Sequence, residues 1–188
     1  MFDVDVAIFR FFNSTFTNAW FDVIFPYITE LHSIWWMYLV LFAVLFKRNP
    51  KVGIAAIVLL CFSVGIADFI NGHFIKNTVG RIRPCSALEG VRLLVHCGEG
   101  KSFPSSHAVN NGVVFILWKL WNGPSTSFIM LFTVLVAFSR IYVGVHYPSD
   151  VVAGFSFGMI IGYLMNRSYH FVRSKINIST PELDFSPN

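Results

Sequence analysis

Charged side chains are scarce in this sequence of 188 residues: they make up 13% of the chain, against 55% hydrophobic and 17% aromatic residues. Soluble globular domains carry about 25% charged residues, so the composition excludes an ordinary soluble domain and indicates an integral membrane protein. We also expect no secretory signal peptide, because Asp3 and Asp5 occupy the place of its basic segment. We therefore expect the chain to insert into the membrane through its own spans.

Cysteine is equally scarce, and the spacing of Cys61, Cys85 and Cys97 matches no zinc-binding pattern. Cys61 falls in an apolar segment, where a packed side chain is expected. Cys85 and Cys97 lie in one polar loop, and two interpretations stay open for them. They form a disulfide if that face of the membrane is oxidising, or they remain two free thiols.

The formal net charge is nevertheless +4. Such an excess favours anionic partners, among them lipid headgroups, phosphorylated substrates and nucleic acid. Nucleic acid is disfavoured here, because the basic residues form no solvated face apart from the apolar segments. We therefore expect an anionic partner that the protein meets at the membrane.

Five apolar segments approach the roughly 20 residues that a membrane-spanning helix needs. We predict an all-α integral membrane helical bundle of about five transmembrane helices, over residues 28–46, 52–75, 105–121, 128–142 and 151–165. Polar residues interrupt the stretch 2–28, which predicts N-terminal amphipathic helices at the membrane interface, with one apolar face made of Phe2, Val6, Phe9 and Phe12 or Asn13. A sixth span over this stretch is the alternative.

The predicted organisation is a single membrane domain over residues 1–176. It consists of interfacial helices in 1–27 and a transmembrane core in 28–171, and a polar tail, 177–188, is expected to be disordered. The basic turn from Lys47 to Lys51 predicts a cytoplasmic loop. In this orientation the ends of four spans meet at the extracytoplasmic face of a cell (inner) membrane.

Charged and polar residues gather at those four ends, in three groups: Lys76 to Arg83-Pro84, Pro104-Ser105-Ser106-His107, and Ser139-Arg140 to His146 and Asp150. Arg83 and Arg140 offer planar donor forks suited to phosphoryl oxygens, and Lys76 offers a compact point charge. Three cations at one place repel one another unless an anion is bound. The three groups therefore predict an anion-binding site.

Ser105 and Ser106 stand where a helix is expected to start, and the free backbone N–H groups of such a start bind phosphate readily. Helix capping alone is the simpler interpretation of the two serines. His107 follows them in the first turn, beside the three cations. This position of the histidine favours a phosphate site over simple capping.

His146 and Asp150 are four residues apart across a proline. A carboxylate there can accept the proton on one imidazole nitrogen, which leaves the other nitrogen free as a nucleophile. His107 can then protonate the leaving oxygen and later activate water. The cations would stabilise the phosphoryl group as it passes between them.

Three motifs resemble, in order, the signatures of the type 2 phosphatidic acid phosphatase (PAP2) superfamily: Lys76-x6-Arg83-Pro84, Pro104-Ser105-Ser106-His107 and Ser139-Arg140-x5-His146-x3-Asp150. The resemblance implies a metal-independent phosphatase with a helical core and no cofactor. It also implies a phosphohistidine intermediate on His146, oriented by Asp150, with His107 as acid and base. The phosphate-binding groups that it implies are Lys76, Arg83, Ser105, Arg140 and the backbone at Ser106.

Two polar residues need separate interpretation. The second motif of the family usually reads Pro-Ser-Gly-His, and Ser106 replaces the glycine here; serine can serve through its backbone N–H, but a positive φ would strain it. Asp68 shares a helical face with Lys76. A supporting contact to a cation of the site and a purely structural hydrogen bond are both open for Asp68. Structural or interfacial roles are expected for His32, His73, His96 and His170.

The predicted function is removal of a terminal phosphate from a phosphorylated or pyrophosphorylated membrane lipid at the extracytoplasmic surface. From the resemblance, the candidate substrates are undecaprenyl pyrophosphate, phosphatidylglycerol phosphate and lipid A 1-phosphate. Two alternatives stay open. One is a non-catalytic phospholipid-binding or transport protein, and the other is a vanadate-dependent haloperoxidase-like activity.

Overall fold

The computed structural model describes residues 2–30, 42–47, 49–123, 125–176 and 182–184, and every regular element in these ranges is helical. The predicted all-α class is confirmed. The helices are α1 (Phe2–Arg10), α2 (Ala19–Thr29), α3 (Pro50–Ile70), α4 (Lys76–Val79), α5 (Pro84–Ala87), α6 (Ser106–Leu120), α7 (Thr126–Tyr142) and α8 (Pro148–Ile176). Residues 42–47 are also helical. Residues 31–41, which carry most of the first predicted span, lie outside the described ranges.

α3 begins at an asparagine cap. The Asn49 side chain accepts hydrogen bonds from the backbone N–H groups of Lys51 and Val52, and Pro50 takes the first helical position. The helix then passes through a π-helical turn, Asn71–Ile75, directly into α4. Such turns change the direction in which the following side chains point and are frequent at functional sites. The turn therefore sets the orientation of the first motif.

α6 and α8 approach each other closely through two glycines. A Cβ atom at Gly158 would lie 1.9 Å from Val109 O, and one at Gly112 would lie 2.2 Å from Phe155 O. Larger residues are therefore excluded at both positions, as is common where helices pack in membranes. The close packing places the start of α6 beside the start of α8, and thus the second motif beside the third.

The N-terminal helices bury the predicted face. Phe9 is 1% exposed and Asn13 is fully buried. Val6 and Phe12 pack against the cluster that Phe9 forms with side chains of α6, α7 and α8. These helices are therefore part of the bundle that surrounds the polar residues, and α2 ends at Thr29.

The C-terminal end differs from the expectation in two ways. α8 continues to Ile176, well past the predicted end at residue 165. Residues 182–184, in the tail expected to be disordered, lie against the bundle: Leu183 is 3% exposed in the main apolar cluster, and Asn122 Nδ2 donates to Asp184 Oδ1 (3.1 Å). Leu183 is one of three large apolar residues in this otherwise polar tail, with Ile178 and Phe185, and these residues are the sequence signal for such a contact.

Large apolar side chains cover the outer faces of α3, α7 and α8. Examples more than half exposed are Val58, Phe62, Phe128, Leu131, Val152 and Ile160. An apolar surface of this kind is unfavourable in water and favourable against lipid. By length and composition, two stretches of the described chain could cross a membrane, Pro50–Ala87 and Pro148–Lys175, and α7 is apolar but shorter.

Candidate active site

The three motifs meet at one place in the bundle. Arg83 Nη1 lies 3.0 Å from His146 Nε2, which joins the first motif to the third. Lys76 Nζ donates to Pro104 O (2.8 Å), and Ser105 N donates to the backbone oxygen of Asp150 (3.1 Å). The structure thus brings together the predicted residues Lys76, Arg83, Ser105, Ser106, His107, Arg140, His146 and Asp150.

His146 lies in the loop before α8, with its ring 2% exposed. Its Nδ1 faces Asp150 Oδ2 at 3.5 Å and Ser102 Oγ at 3.4 Å. Its Nε2 faces Arg83 Nη1, and because a guanidinium can only donate, Nε2 accepts this hydrogen bond. The ring proton therefore lies on Nδ1, toward Asp150. This tautomer leaves the Nε2 lone pair available as a nucleophile.

The charge state of His146 follows from its surroundings. Burial lowers the pKa of its imidazole to about 3; the hydrogen bond with Asp150 opposes this shift, and the charges of Arg83 and Arg140 add to it. The ring is therefore neutral near pH 7. A neutral imidazole beside two guanidinium groups keeps its nucleophilic lone pair, because protonation there would add a further positive charge.

Two of the cations are fixed by backbone carbonyl groups. Arg83 donates from Nε to Gly100 O (2.9 Å) and from Nη1 to Val145 O (3.3 Å). Lys76 donates to Lys101 O (2.9 Å) as well as to Pro104 O. Carbonyl oxygens orient a cation without neutralising it, and neither Lys76 nor Arg83 forms an ion pair within the described part of the chain. Their positive charge remains available for an anionic ligand.

The end of α2 contacts the third cation and the other histidine. Arg140 Nη1 donates to Thr29 Oγ1 (2.8 Å), and His107 Nε2 lies 3.1 Å from Thr29 O. A carbonyl oxygen only accepts, so Nε2 of His107 carries a proton. Thr29 was not predicted, because its partners are more than 70 residues away in the sequence.

Among the buried polar atoms that have no partner among the described residues are Ser105 Oγ and Arg140 Nε. Ser105 occupies the N-cap position of α6, but its side chain makes no capping hydrogen bond and is fully buried. Simple capping is therefore the wrong interpretation of Ser105. Buried groups of this kind are usually satisfied, and phosphoryl oxygens would satisfy both.

Ser106 replaces the family glycine without backbone strain. It is the first residue of α6, and the positive-φ residues other than glycine in the described chain are Asn122 and Ser125. Its Oγ accepts a hydrogen bond from Asn71 Nδ2 (3.0 Å), an amide fully buried in the π-helical turn. The side chain of Ser106 is thus held by the π-helical turn that follows α3, while its backbone N–H stays at the start of α6.

The structure also describes Asp68 and the three cysteines. The Asp68 side chain is exposed and makes no hydrogen bond or ion pair with the described residues, although its charge favours the charged form of Lys76. Cys85 and Cys97 are joined in a disulfide with a Cα–Cα distance of 6.1 Å. Cys61 is free and exposed, so the prediction of a packed side chain is wrong. No group of three or more potential metal-ligating side chains occurs in the described ranges.

Comparisons with known proteins agree with the three motifs. The PAP2 superfamily sequence profile matches residues 56–174. A lipid A 4'-phosphatase of Bacteroides thetaiotaomicron is 30% identical, over 95% of this chain and 83% of that protein. An undecaprenyl-diphosphatase of Sulfolobus acidocaldarius is 32% identical, over 69% of this chain and 61% of that protein. The chain belongs to the PAP2 superfamily, and the predicted enzyme class, a phosphatase, is confirmed.

A solved structure agrees with the fold. The transmembrane PAP2-type phosphatidylglycerolphosphate phosphatase of Bacillus subtilis superimposes with a TM-score of 0.68, at 22% identity, over 93% of this chain and 88% of that one. At this identity the likeness shows a shared fold. The exposed apolar faces of α3, α7 and α8 are consistent with such a transmembrane fold.

Proposed function

We propose that the protein removes the terminal phosphate of a phosphorylated or pyrophosphorylated membrane lipid, without a metal ion, through a phosphohistidine on His146. The observation that carries this proposal is the contact between Arg83 Nη1 and His146 Nε2 (3.0 Å), from which the tautomer of the ring follows. Its unprotonated Nε2 faces the cations, while its Nδ1 proton points at Asp150. A phosphate bound among those cations would take over the hydrogen bond of Arg83 Nη1 on a phosphoryl oxygen, which frees the Nε2 lone pair for attack on phosphorus.

The first step is the attack on phosphorus. Lys76, Arg83 and Arg140 hold the phosphoryl oxygens, together with the Ser105 hydroxyl and the backbone N–H of Ser106. The Nε2 lone pair forms the N–P bond as the bond from phosphorus to the lipid oxygen breaks. His107, protonated on both ring nitrogens in the complex with the anionic substrate, gives its Nδ1 proton to that oxygen and keeps its Nε2 proton directed at Thr29 O. The phosphorylated ring of His146 becomes cationic, and the Asp150 carboxylate stabilises it through the Nδ1 proton.

The second step returns the enzyme to its starting state. His107, now unprotonated at the nitrogen that gave up its proton, accepts a proton from water while the water oxygen attacks phosphorus. The N–P bond breaks, its electron pair returns to Nε2, and inorganic phosphate leaves. Asp150 thus serves both halves of the reaction without itself exchanging a proton.

The membrane arrangement belongs to the same proposal. About five spans, with the site at the extracytoplasmic surface, would place the cations at the level of lipid headgroups. The apolar outer faces of the helices support this placement. A lipid substrate could then reach the site with its chains still in the bilayer.

The substrate candidates are undecaprenyl pyrophosphate, phosphatidylglycerol phosphate and lipid A 1-phosphate. The relatives carry different names, since they include a lipid A 4'-phosphatase, an undecaprenyl-diphosphatase and a phosphatidylglycerophosphatase. We therefore add lipid A 4'-phosphate to the panel. Release of phosphate from each purified lipid in mixed micelles, compared as kcat/KM, ranks the candidates.

The test of the mechanism is phosphate release in EDTA by the wild type and by His146→Ala and His107→Ala. We expect EDTA to leave activity unchanged, and we expect each substitution to lower kcat by about 10³-fold or more. His170→Ala, near the far end of α8, is the matched control. Unchanged turnover in His146→Ala with retained folding would refute the assignment. Binding of the lipid without phosphate release by the wild type would favour the non-catalytic alternative.

A further inference from the structure

An arginine connects the N-terminal helix to the carboxylate beside the nucleophile. Arg81 Nη1 donates to Asp150 Oδ1 (2.7 Å) and to Ser149 Oγ (2.7 Å), and its Nη2 donates to Asp5 Oδ2 on α1. Both ion pairs are shielded, since the side chains of Asp150, Asp5 and Arg81 are 0%, 10% and 11% exposed. One guanidinium therefore bridges two buried carboxylates from distant parts of the chain.

We propose that Arg81 is a positioning residue for the reaction, which fixes and keeps ionised the carboxylate of Asp150, and that Asp5 holds Arg81 in place. This inference rests on the proposed function, in which Asp150 orients His146 and stabilises the phosphohistidine. It adds two residues to the site, one of them on a helix that precedes the three motifs.

The two oxygens of the Asp150 carboxylate have different partners. Oδ2 accepts hydrogen bonds from Ser102 Oγ and from Tyr147 N (2.9 Å), and this oxygen faces the His146 ring. Oδ1 points the other way and accepts from Arg81. With both oxygens bound, rotation of the carboxylate is restricted, so Oδ2 stays directed at Nδ1 of His146.

Arg81 acts from the side of His146 that is away from the phosphate-binding groups. Its guanidinium stacks on the ring of Tyr147, 3.8 Å from the centroid, and its hydrogen bonds go to Asp5, Ser149 and Asp150. The nucleophilic Nε2 lies on the opposite side of the imidazole. Arg81 is therefore expected to influence the rate of phosphoryl transfer and to leave phosphate binding intact.

Asp5 supports this arrangement in two ways. Its Oδ2 accepts from Arg81 and from Ser149 Oγ, and its Oδ1 accepts from Ser149 N (2.9 Å), at the start of α8. A carboxylate at the beginning of a helix is favourable. Asp5 lies outside residues 56–174, where the superfamily profile matches, so this support comes from the N-terminal helix of this chain.

Several charged or titratable groups face Asp150, and a pH profile must be interpreted against all of them. Arg81 contacts it directly, and the others that face it from neighbouring elements are Lys76, Arg83, His146 and Tyr147. Removal of the Arg81 charge makes the ionised form of Asp150 less favourable. The acid limb of the kcat profile is therefore expected to move to higher pH in an Arg81 variant that lacks the charge.

The experiment compares Arg81→Gln and Asp5→Asn with the wild type, using full-length protein in detergent micelles and the preferred lipid of the substrate panel. Arg81→Gln is expected to lower kcat by about 10- to 100-fold, the effect of losing charge-assisted hydrogen bonds to one carboxylate. The inhibition constant for inorganic phosphate is expected to change by less than about 2-fold. Asp5→Asn is expected to lower kcat by about 3- to 10-fold, with the same insensitivity of phosphate inhibition.

The chain offers control variants for both substitutions. Asp3→Asn removes the same charge from an exposed position of α1, and Arg167→Gln removes an exposed arginine from α8; both are expected to retain wild-type kcat. Arg81→Lys keeps the charge but cannot bridge both carboxylates equally, so an intermediate kcat is expected. This variant carries the test if Arg81→Gln does not fold.

The results separate this inference from the proposed function. A wild-type kcat in a folded Arg81→Gln or, failing that, in Arg81→Lys would overturn the inference, and so would a proportional rise in the phosphate inhibition constant. If His146→Ala is inactive at the same time, the proposed function is supported and only the inference on Arg81 fails. If His146→Ala turns over normally, the proposed function fails first.

Discussion

The two sides of the His146 ring differ in how their buried polar groups are satisfied. On the Nδ1 side, which we term the supporting half, Asp150, Ser102 and Arg81 hydrogen-bond to one another. On the Nε2 side, the binding half, Ser105 Oγ and Arg140 Nε are buried and have no partner among the described residues. In the supporting half, the polar side chains find their hydrogen-bond partners within the protein. In the binding half, the unpaired donors are suited to a ligand rich in oxygen atoms.

The difference has an energetic meaning. A buried polar atom without a partner costs about 1 to 3 kcal/mol, so the binding half is less stable than it would be with paired side chains. When a phosphate binds, its oxygens would accept hydrogen bonds from these atoms and so remove this unfavourable free energy. Substitutions in the binding half should therefore change ligand affinity, and substitutions in the supporting half should change kcat alone.

The largest effect is expected in the binding half, for Arg140→Gln. This change removes one of three cations and, because glutamine is shorter than arginine, also the contact of Nη1 with Thr29 Oγ1. We expect kcat/KM to fall by about 10²- to 10³-fold, as on removal of one charge-stabilising donor, and the inhibition constant for phosphate to rise. Steady-state kinetics with phosphate as inhibitor checks this, with Arg167→Gln as control. If kcat changes while phosphate inhibition is unaltered, Arg140 does not bind phosphate and its assignment to the binding half is wrong.

Ser105→Ala is expected to separate function from stability. Its hydroxyl makes no hydrogen bond with the described residues, so its removal costs the folded protein little, and the thermal unfolding midpoint should stay the same or rise. Activity should nevertheless fall, with a loss in kcat/KM of about 10- to 100-fold, because a hydrogen bond to a phosphoryl oxygen is lost.

The control for this prediction is Ser63→Ala, a fully buried serine of α3 that donates to Leu59 O (2.6 Å). That change should lower the unfolding midpoint and leave kcat/KM close to wild type. A lower midpoint together with unchanged activity in Ser105→Ala would contradict the assignment of Ser105 to the binding half.

The sequence predicted the binding half better than the supporting half, and the physical reason is locality. Lys76, Arg83, Ser105 and Arg140 stand at the ends of apolar segments, so the helical pattern alone brings them to one face. Asp5 reads equally well as a solvated residue of an amphipathic helix. Its burial depends on how α1 packs against α8, which no local pattern specifies.

The same limit applies to details of the fold. The apolar pattern predicted the starts of α3, α6, α7 and α8 to within a few residues. The π-helical turn at Asn71–Ile75 has no compositional signal, because it depends on one additional residue in a continuous helix. Thr29 and Ser102 were missed since small hydroxyl residues are common in loops and helix ends, and only the folded chain gives them partners.

A moderate effect is expected in the supporting half, for Ser102→Ala. Asp150 Oδ2 would lose one donor while keeping Tyr147 N. We expect kcat to fall by about 10-fold, since the carboxylate is less well fixed toward His146, and phosphate inhibition to remain as in the wild type. Kinetics under the same conditions as for Arg140→Gln provide the direct comparison. A weaker inhibition by phosphate would show that the two halves are not separable at this residue.

The smallest effect on activity is expected for Ser106→Gly, which restores the residue usual in the family. The backbone N–H at the start of α6 remains, so kcat/KM should stay within about 3-fold of wild type. Asn71 Nδ2 would lose its partner in a fully buried position, and glycine itself is unfavourable in a helix, so the free energy of unfolding should fall by about 1 to 3 kcal/mol. Ser106→Ala separates the two contributions, because it removes the hydroxyl while keeping a good helix former. Denaturation in detergent and kinetics on both variants give the measurement. A loss of activity of 10-fold or more in Ser106→Ala would mean that the hydroxyl contacts phosphate, and the boundary of the binding half would then have to include the Asn71 and Ser106 pair.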